Sequence, residues 1–91
     1  MNYCLAIDIA KSKSTFALFN SNVSSIVIEP VDIVHSLENL LSLHSNLIKF
    51  GISNISVILE STSTYHLPIV NFFKDRNYQV IVINPLISKE H

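Results

Sequence analysis

The sequence predicts one small α/β domain, a five-stranded mixed sheet with two helices in the order βββαβαβ. Three observations predict it. Tyr3–Ile9, Ile55–Leu59 and Gln79–Ile83 are short, nearly continuous apolar runs, the pattern of strands covered on both faces. The apolar period changes from two to a helical spacing after Pro30. Hydroxyl-rich and Asn-containing breaks then set a second helix between the last two runs.

In the first strand, Tyr3-Cys4-Leu5-Ala6-Ile7-Asp8-Ile9, Asp8 is the exception to an apolar run. A buried carboxylate is costly unless a cation or hydrogen bonds compensate it. Ile9 to Ser14 is polar and small enough for a hairpin connection, though it lacks glycine. Thr15 to Phe19 reads as the second strand and Asn20-Ser21-Asn22 as a turn. Val23 to Glu29 reads as an edge strand, with Ile26 and Ile28 facing one way and Ser25 and Val27 the other.

Pro30 and Asp32 suit the first turn of a helix. Val34, Leu37, Leu41 and Ile48 continue it at helical spacing, widened by Ile33, Leu40 and Leu47, with Gly51 as its C-terminal stop. The expectation is a helix of roughly 20 residues, about 30 Å long. His35 and His44 would lie on it, off the i,i+4 spacing that shares a metal, as boundary or surface residues. After the fourth strand, Ser61-Thr62-Ser63-Thr64 offers N-cap hydroxyls. The second helix is expected over Tyr65–Arg76, burying Ile69, Val70 and Phe73, with Asn77 in a left-handed conformation beyond it. Asn84-Pro85 ends the fifth strand.

Right-handed crossovers would make strands four and five parallel to the first, which then lies centrally. Three antiparallel strands followed by two αβ units is the ribonuclease-H-like arrangement. It brings Asp8 towards Glu60, at the carboxyl edge of the sheet where ligands of open α/β sheets sit. Paired carboxylates are hard oxygen ligands suited to Mg²⁺. The bland alternative is an Asp8 bonded to backbone amides and a Glu60 that is a solvated strand end.

Composition narrows the function classes. The chain has 91 residues, 48% hydrophobic and 14% charged, with a net charge of −1. That balance argues against autonomous, salt-driven binding of nucleic acid. Cys4 reads as a reduced core thiol, and the N-terminus shows neither a leader nor a span, so the expected compartment is the cytoplasm.

Three motifs in register carry a resemblance: Ala6-Ile7-Asp8-Ile9-Ala10-Lys11, Leu59-Glu60-Ser61-Thr62-Ser63-Thr64-Tyr65-His66 and Val82-Ile83-Asn84-Pro85. Together they resemble the N-terminal domain of the DEDD insertion-sequence transposases, relatives of the Holliday-junction resolvases and pilin-gene invertases. The resemblance covers essentially the whole chain, so residues 1–91 read as the N-terminal part of such a catalytic domain. It implies metal-dependent cleavage and transfer of DNA strands. Asp8 and Glu60 become the first two acids of the tetrad, and Mg²⁺ or Mn²⁺ the cofactor. Partners implied are DNA, a guide RNA encoded by the element, and further copies in a homo-oligomer, with no membrane.

Lys11 is then a candidate phosphate contact, against a solvated hairpin lysine. Thr62 is a helix cap first and a site residue second. Tyr65 offers a DNA contact or half-buried packing; Asn84 orients a ligand or holds the turn before Pro85. The family's last two acids follow the Asn-Pro in a Lys-x-Asp-x-x-Asp-Ala segment that is not among these residues. The expectation is therefore an inactive fragment that binds Mg²⁺ weakly and self-associates through a sheet face left bare. Ala6, Ser63 and Asn77 stand where the family commonly has glycine. Alternatives from other classes are a standalone resolvase-like nuclease, an actin-like ATPase fold and a non-catalytic assembly remnant.

Overall fold

The computed structural model describes residues 2–60 and 66–83. Its strands are β1 (Tyr3–Ile9), β2 (Lys13–Asn20), β3 (Ser25–Val34), β4 (Ile55–Glu60) and β5 (Gln79–Ile83). Helix α1 spans Leu37–Leu47 and α2 spans Leu67–Asp75. The sheet order is β3-β2-β1-β4-β5, with β1 central as the sequence implies. β1–β2 and β2–β3 are antiparallel, while β1–β4 and β4–β5 are parallel. This is the ribonuclease-H-like arrangement.

The expected helix from Pro30 to Gly51 is corrected. Its first five residues, 30–34, belong to β3, and Val31, Asp32, Ile33 and Val34 pair with β2. The β-branched side chains of Val31, Ile33 and Val34 favour a pleated surface over a helix. Pro30 is accommodated on the sheet's edge beside a bulge, where the register jumps from Phe16↔Val31 to Leu18↔Ile28. Edge strands and bulges are where a residue without an N–H is tolerated. The helix starts at Ser36 instead, whose side chain accepts a hydrogen bond from the Asn39 N–H at 3.1 Å. It ends at Leu47, and two short 3₁₀ turns (Ile48–Phe50 and Ile52–Asn54) lead into β4. Gly51 joins them with φ 87°, and a Cβ there would stand 2.9 Å from Asn54 Nδ2.

Helix α2 keeps its expected core, burying Ile69, Val70 and Phe73 together with Phe72. Pro68 lies in its first turn, where a missing N–H costs nothing. Asn77 takes the left-handed conformation, φ 69°. The hydroxyl caps expected at Ser61–Thr64, and Asn84-Pro85, lie outside the described residues.

Alternation along the strands sorts the sheet into two faces. Leu5, Ile7, Phe16, Leu18, Val57 and Leu59 join Leu40, Leu43 and Leu47 of α1 and Ile69, Val70 and Phe73 of α2 in one core. Both helices therefore pack on the same face. Edge-on aromatic contacts close one end of this core, with Phe73 and Tyr78 centroids 4.9 Å apart.

Two histidines fasten the core's margin. His35 is not helical but lies in the connection before α1, where Nε2 is 2.6 Å from the hydroxyl of Ser14. That bond accommodates Ser14, a buried polar side chain on the helix-covered face. His44 Nδ1 is 2.7 Å from the Tyr78 hydroxyl, whose pKa burial pushes up to about 12. Burial lowers the pKa of both histidines below 6.5, and the Arg76 charge adds to the effect at His44. The unfolded chain thus takes up protons first on acidification. Stability is full above pH 6.5 and is lost as pH falls through the window below it. Urea midpoints are expected to fall between pH 7.5 and pH 5.5, and less in a His35→Gln/His44→Gln variant; a flat or rising midpoint in the native chain would contradict this.

Candidate functional site

The face opposite the helices carries, among the described residues, a trough of ≈ 420 Å³. Apolar side chains, among them Ala6, Ala17, Phe19, Ile58 and Ile83, form its floor and walls, and Asp8, Thr15 and Glu60 line it as well. The polar end follows from register. Asp32 pairs with Thr15, Thr15 with Asp8, Asp8 with Glu60 and Glu60 with Ile83, so one row crosses all five strands. Its members share a face and stand about 4.8 Å apart, strand to strand.

Asp8 lies one residue from the end of β1 and Glu60 closes β4. These are the carboxyl ends of parallel neighbours, as the sequence reading requires. Both residues are exposed, so Asp8 is not the buried charge that an apolar run suggests. Among the described residues both helices pack on the other face of the sheet, which leaves the Asp8 side of β1 exposed. Among the described residues neither carboxylate has a hydrogen-bond or ion-pair partner. Among the described residues Asp8 is therefore not satisfied by side-chain donors or backbone amides. Two free carboxylates in register suit a hard cation that takes oxygen ligands. Among the described residues no group of three or more His, Cys, Asp or Glu converges as a metal set.

Lys11 lies beyond β1 in the exposed hairpin, outside the row. Thr62, Tyr65 and Asn84 lie outside the described residues. Three neighbours escaped the sequence reading. Thr15 donates to Asp32 Oδ1 at 2.6 Å, and Lys13 Nζ lies 3.7 Å from Asp32 Oδ2. Lys13 and Thr15 could have been found from the two-residue period that puts them on Asp8's side of the sheet. Asp32 was hidden by its assignment to a helix. No described helix is long and apolar enough to cross a membrane.

No curated protein matches the chain. A family model does, described as a transposase, and its match runs over residues 5–91. With the motifs, the central first strand and the mixed sheet in agreement, the chain belongs to the DEDD transposase family of the IS110 type, a family of DNA-recombination enzymes.

Proposed function

We propose that this chain is the metal-binding core of a transposase that cleaves DNA strands and transfers them, with Asp8 and Glu60 as two carboxylate ligands of a divalent cation. The observation that carries the reading is their direct register across β1 and β4, with neither carboxylate engaged elsewhere among the described residues. Mg²⁺ or Mn²⁺ bound there supplies Lewis-acid polarisation of a phosphodiester and an activated oxygen nucleophile.

The chain's own part is to hold two negative charges about one strand spacing apart, on a rigid central strand and its neighbour. Lys11, in the exposed hairpin beyond Asp8, suits a phosphate contact. Thr62, Tyr65 and Asn84 keep the DNA-contact roles that their places in the motifs suggest. A guide RNA, a homo-oligomer and a cytoplasmic setting belong to the same reading. Two acids are half of a tetrad, so these 91 residues are expected to bind the cation weakly and not to cleave DNA.

Mn²⁺ titrated into the ¹⁵N-labelled chain provides the test. Paramagnetic broadening is expected to centre on the amides near Asp8 and Glu60, with an affinity in the millimolar range or weaker. Broadening spread evenly over the acidic surface would remove the site.

A further inference from the structure

Thr15 stands between two carboxylates, with Asp8 as its partner on β1 and Asp32 on β3. A hydroxyl has one proton and two acceptor lone pairs. The proton goes to Asp32 Oδ1 at 2.6 Å, since an ionised carboxylate can only accept. The other oxygen of Asp32 lies 3.7 Å from Lys13 Nζ. Asp32 thus has a hydroxyl on one oxygen and an ammonium beside the other. Asp8 is left with no donor among the described residues.

Resting on the reading of Asp8 and Glu60 as cation ligands, we propose that Thr15 accepts hydrogen bonds from the water shell of a hydrated divalent cation, and that Asp32 is the positioning residue that fixes its hydroxyl. Mg²⁺ dehydrates reluctantly and keeps several of its waters. Those waters are donors and need acceptors. Thr15 lines the same trough as Asp8 and Glu60, and with its proton committed to Asp32 it offers lone pairs alone. Without Asp32, the proton would turn to the neighbouring Asp8 and compete with the cation for that carboxylate. Asp32 therefore acts at a distance of two strand spacings, about 10 Å, too far to share a cation with Asp8 directly. Lys13 Nζ, 3.7 Å from the other oxygen, helps to keep Asp32 in place. Partners beyond the ligands commonly set metal affinity in this way.

Mn²⁺ affinity of the 91-residue chain, read by broadening at β1 and β4 amides, tests the assignment. Thr15→Val is expected to weaken binding about three- to tenfold, and Thr15→Ser to restore it. Asp32→Ala is expected to weaken it by a similar factor. Because Asp32 acts through Thr15, the double variant Asp32→Ala/Thr15→Val should bind no more weakly than Thr15→Val alone. Circular dichroism establishes that each variant is folded, and valine is at home in a strand. An Asp32→Ala loss that persists undiminished in the Thr15→Val background would mean that Asp32 acts through its charge, and would overturn the proposal. A Thr15→Val variant with native affinity would overturn it too. Native protein without localised broadening at Asp8 and Glu60 would overturn the parent reading and this one together, whereas localised broadening with additive variants would overturn this one alone.

Discussion

Phe73→Ala is expected to lower the urea midpoint by a large share of its native value. Phe73 is 0% exposed and makes edge-on contacts with both Phe72 and Tyr78. It is the point where α2 meets the sheet-side core. Truncating a buried Phe costs about 3–5 kcal/mol, the lost transfer energy plus the cavity left behind. A domain of this size has a total stability of roughly 5–10 kcal/mol, so the loss removes a large share of it. Leu67→Ala on the same helix is the contrast: Leu67 is exposed, and its loss should stay within about 0.5 kcal/mol. Urea unfolding followed by circular dichroism separates the two. Equal midpoints for the two variants would mean that α2 does not anchor the core.

Asp8→Asn is expected to do two opposed things. Like charges directly opposite on paired strands repel, and Asp8 and Glu60 are such a pair. Neutralising one should raise Tm by about 1–4 °C. The same change removes half of the proposed ligand pair and should weaken Mn²⁺ binding by at least about tenfold. Glu60→Gln should repeat both effects. The double variant should gain no further stability, since the first substitution already abolishes the repulsion. A lower Tm for Asp8→Asn would show that the carboxylate is structurally supported by a partner, and would weaken the case for a functional role.

Most of the sheet was legible in the sequence, and the reasons are specific. β1, β4 and β5 announce themselves as apolar runs, and the crossover rule then fixes their order and direction. The one large error was the stretch from Pro30 to Val34. Pro and Asp are good first-turn residues, and the apolar spacing beyond them fits a helix. That evidence is local, whereas β2 offered Val31, Ile33 and Val34 a partner strand, which no local pattern records. Tertiary pairing overrode propensity. The error also hid the polar row: with Asp32 in a helix, only Asp8 and Glu60 could be placed together. Lys13 and Thr15 were legible from alternation alone, but a short hydroxyl side chain carries no chemical signature until its neighbour is known. The apolar runs alone did not show that the described helices share one face, because such a run reads alike whether a strand's second face is covered or bare; a bare face was expected only from the family's helix after the Asn-Pro.

The register of Asp8 with Glu60 also has a consequence for the order of folding events. β1, β2 and β3 are joined by tight links and can zip together with little loop entropy. β4 returns to β1 only after the whole of β2, β3 and α1 has been traversed, so the β1–β4 ladder is the non-local step. The two carboxylates meet only once that step is complete. An ion that needs both therefore has no affinity for a chain in which only the meander has formed. On the proposed reading its binding energy would add by mass action to the native state alone, tying occupancy of the trough to closure of the longest loop in the sheet.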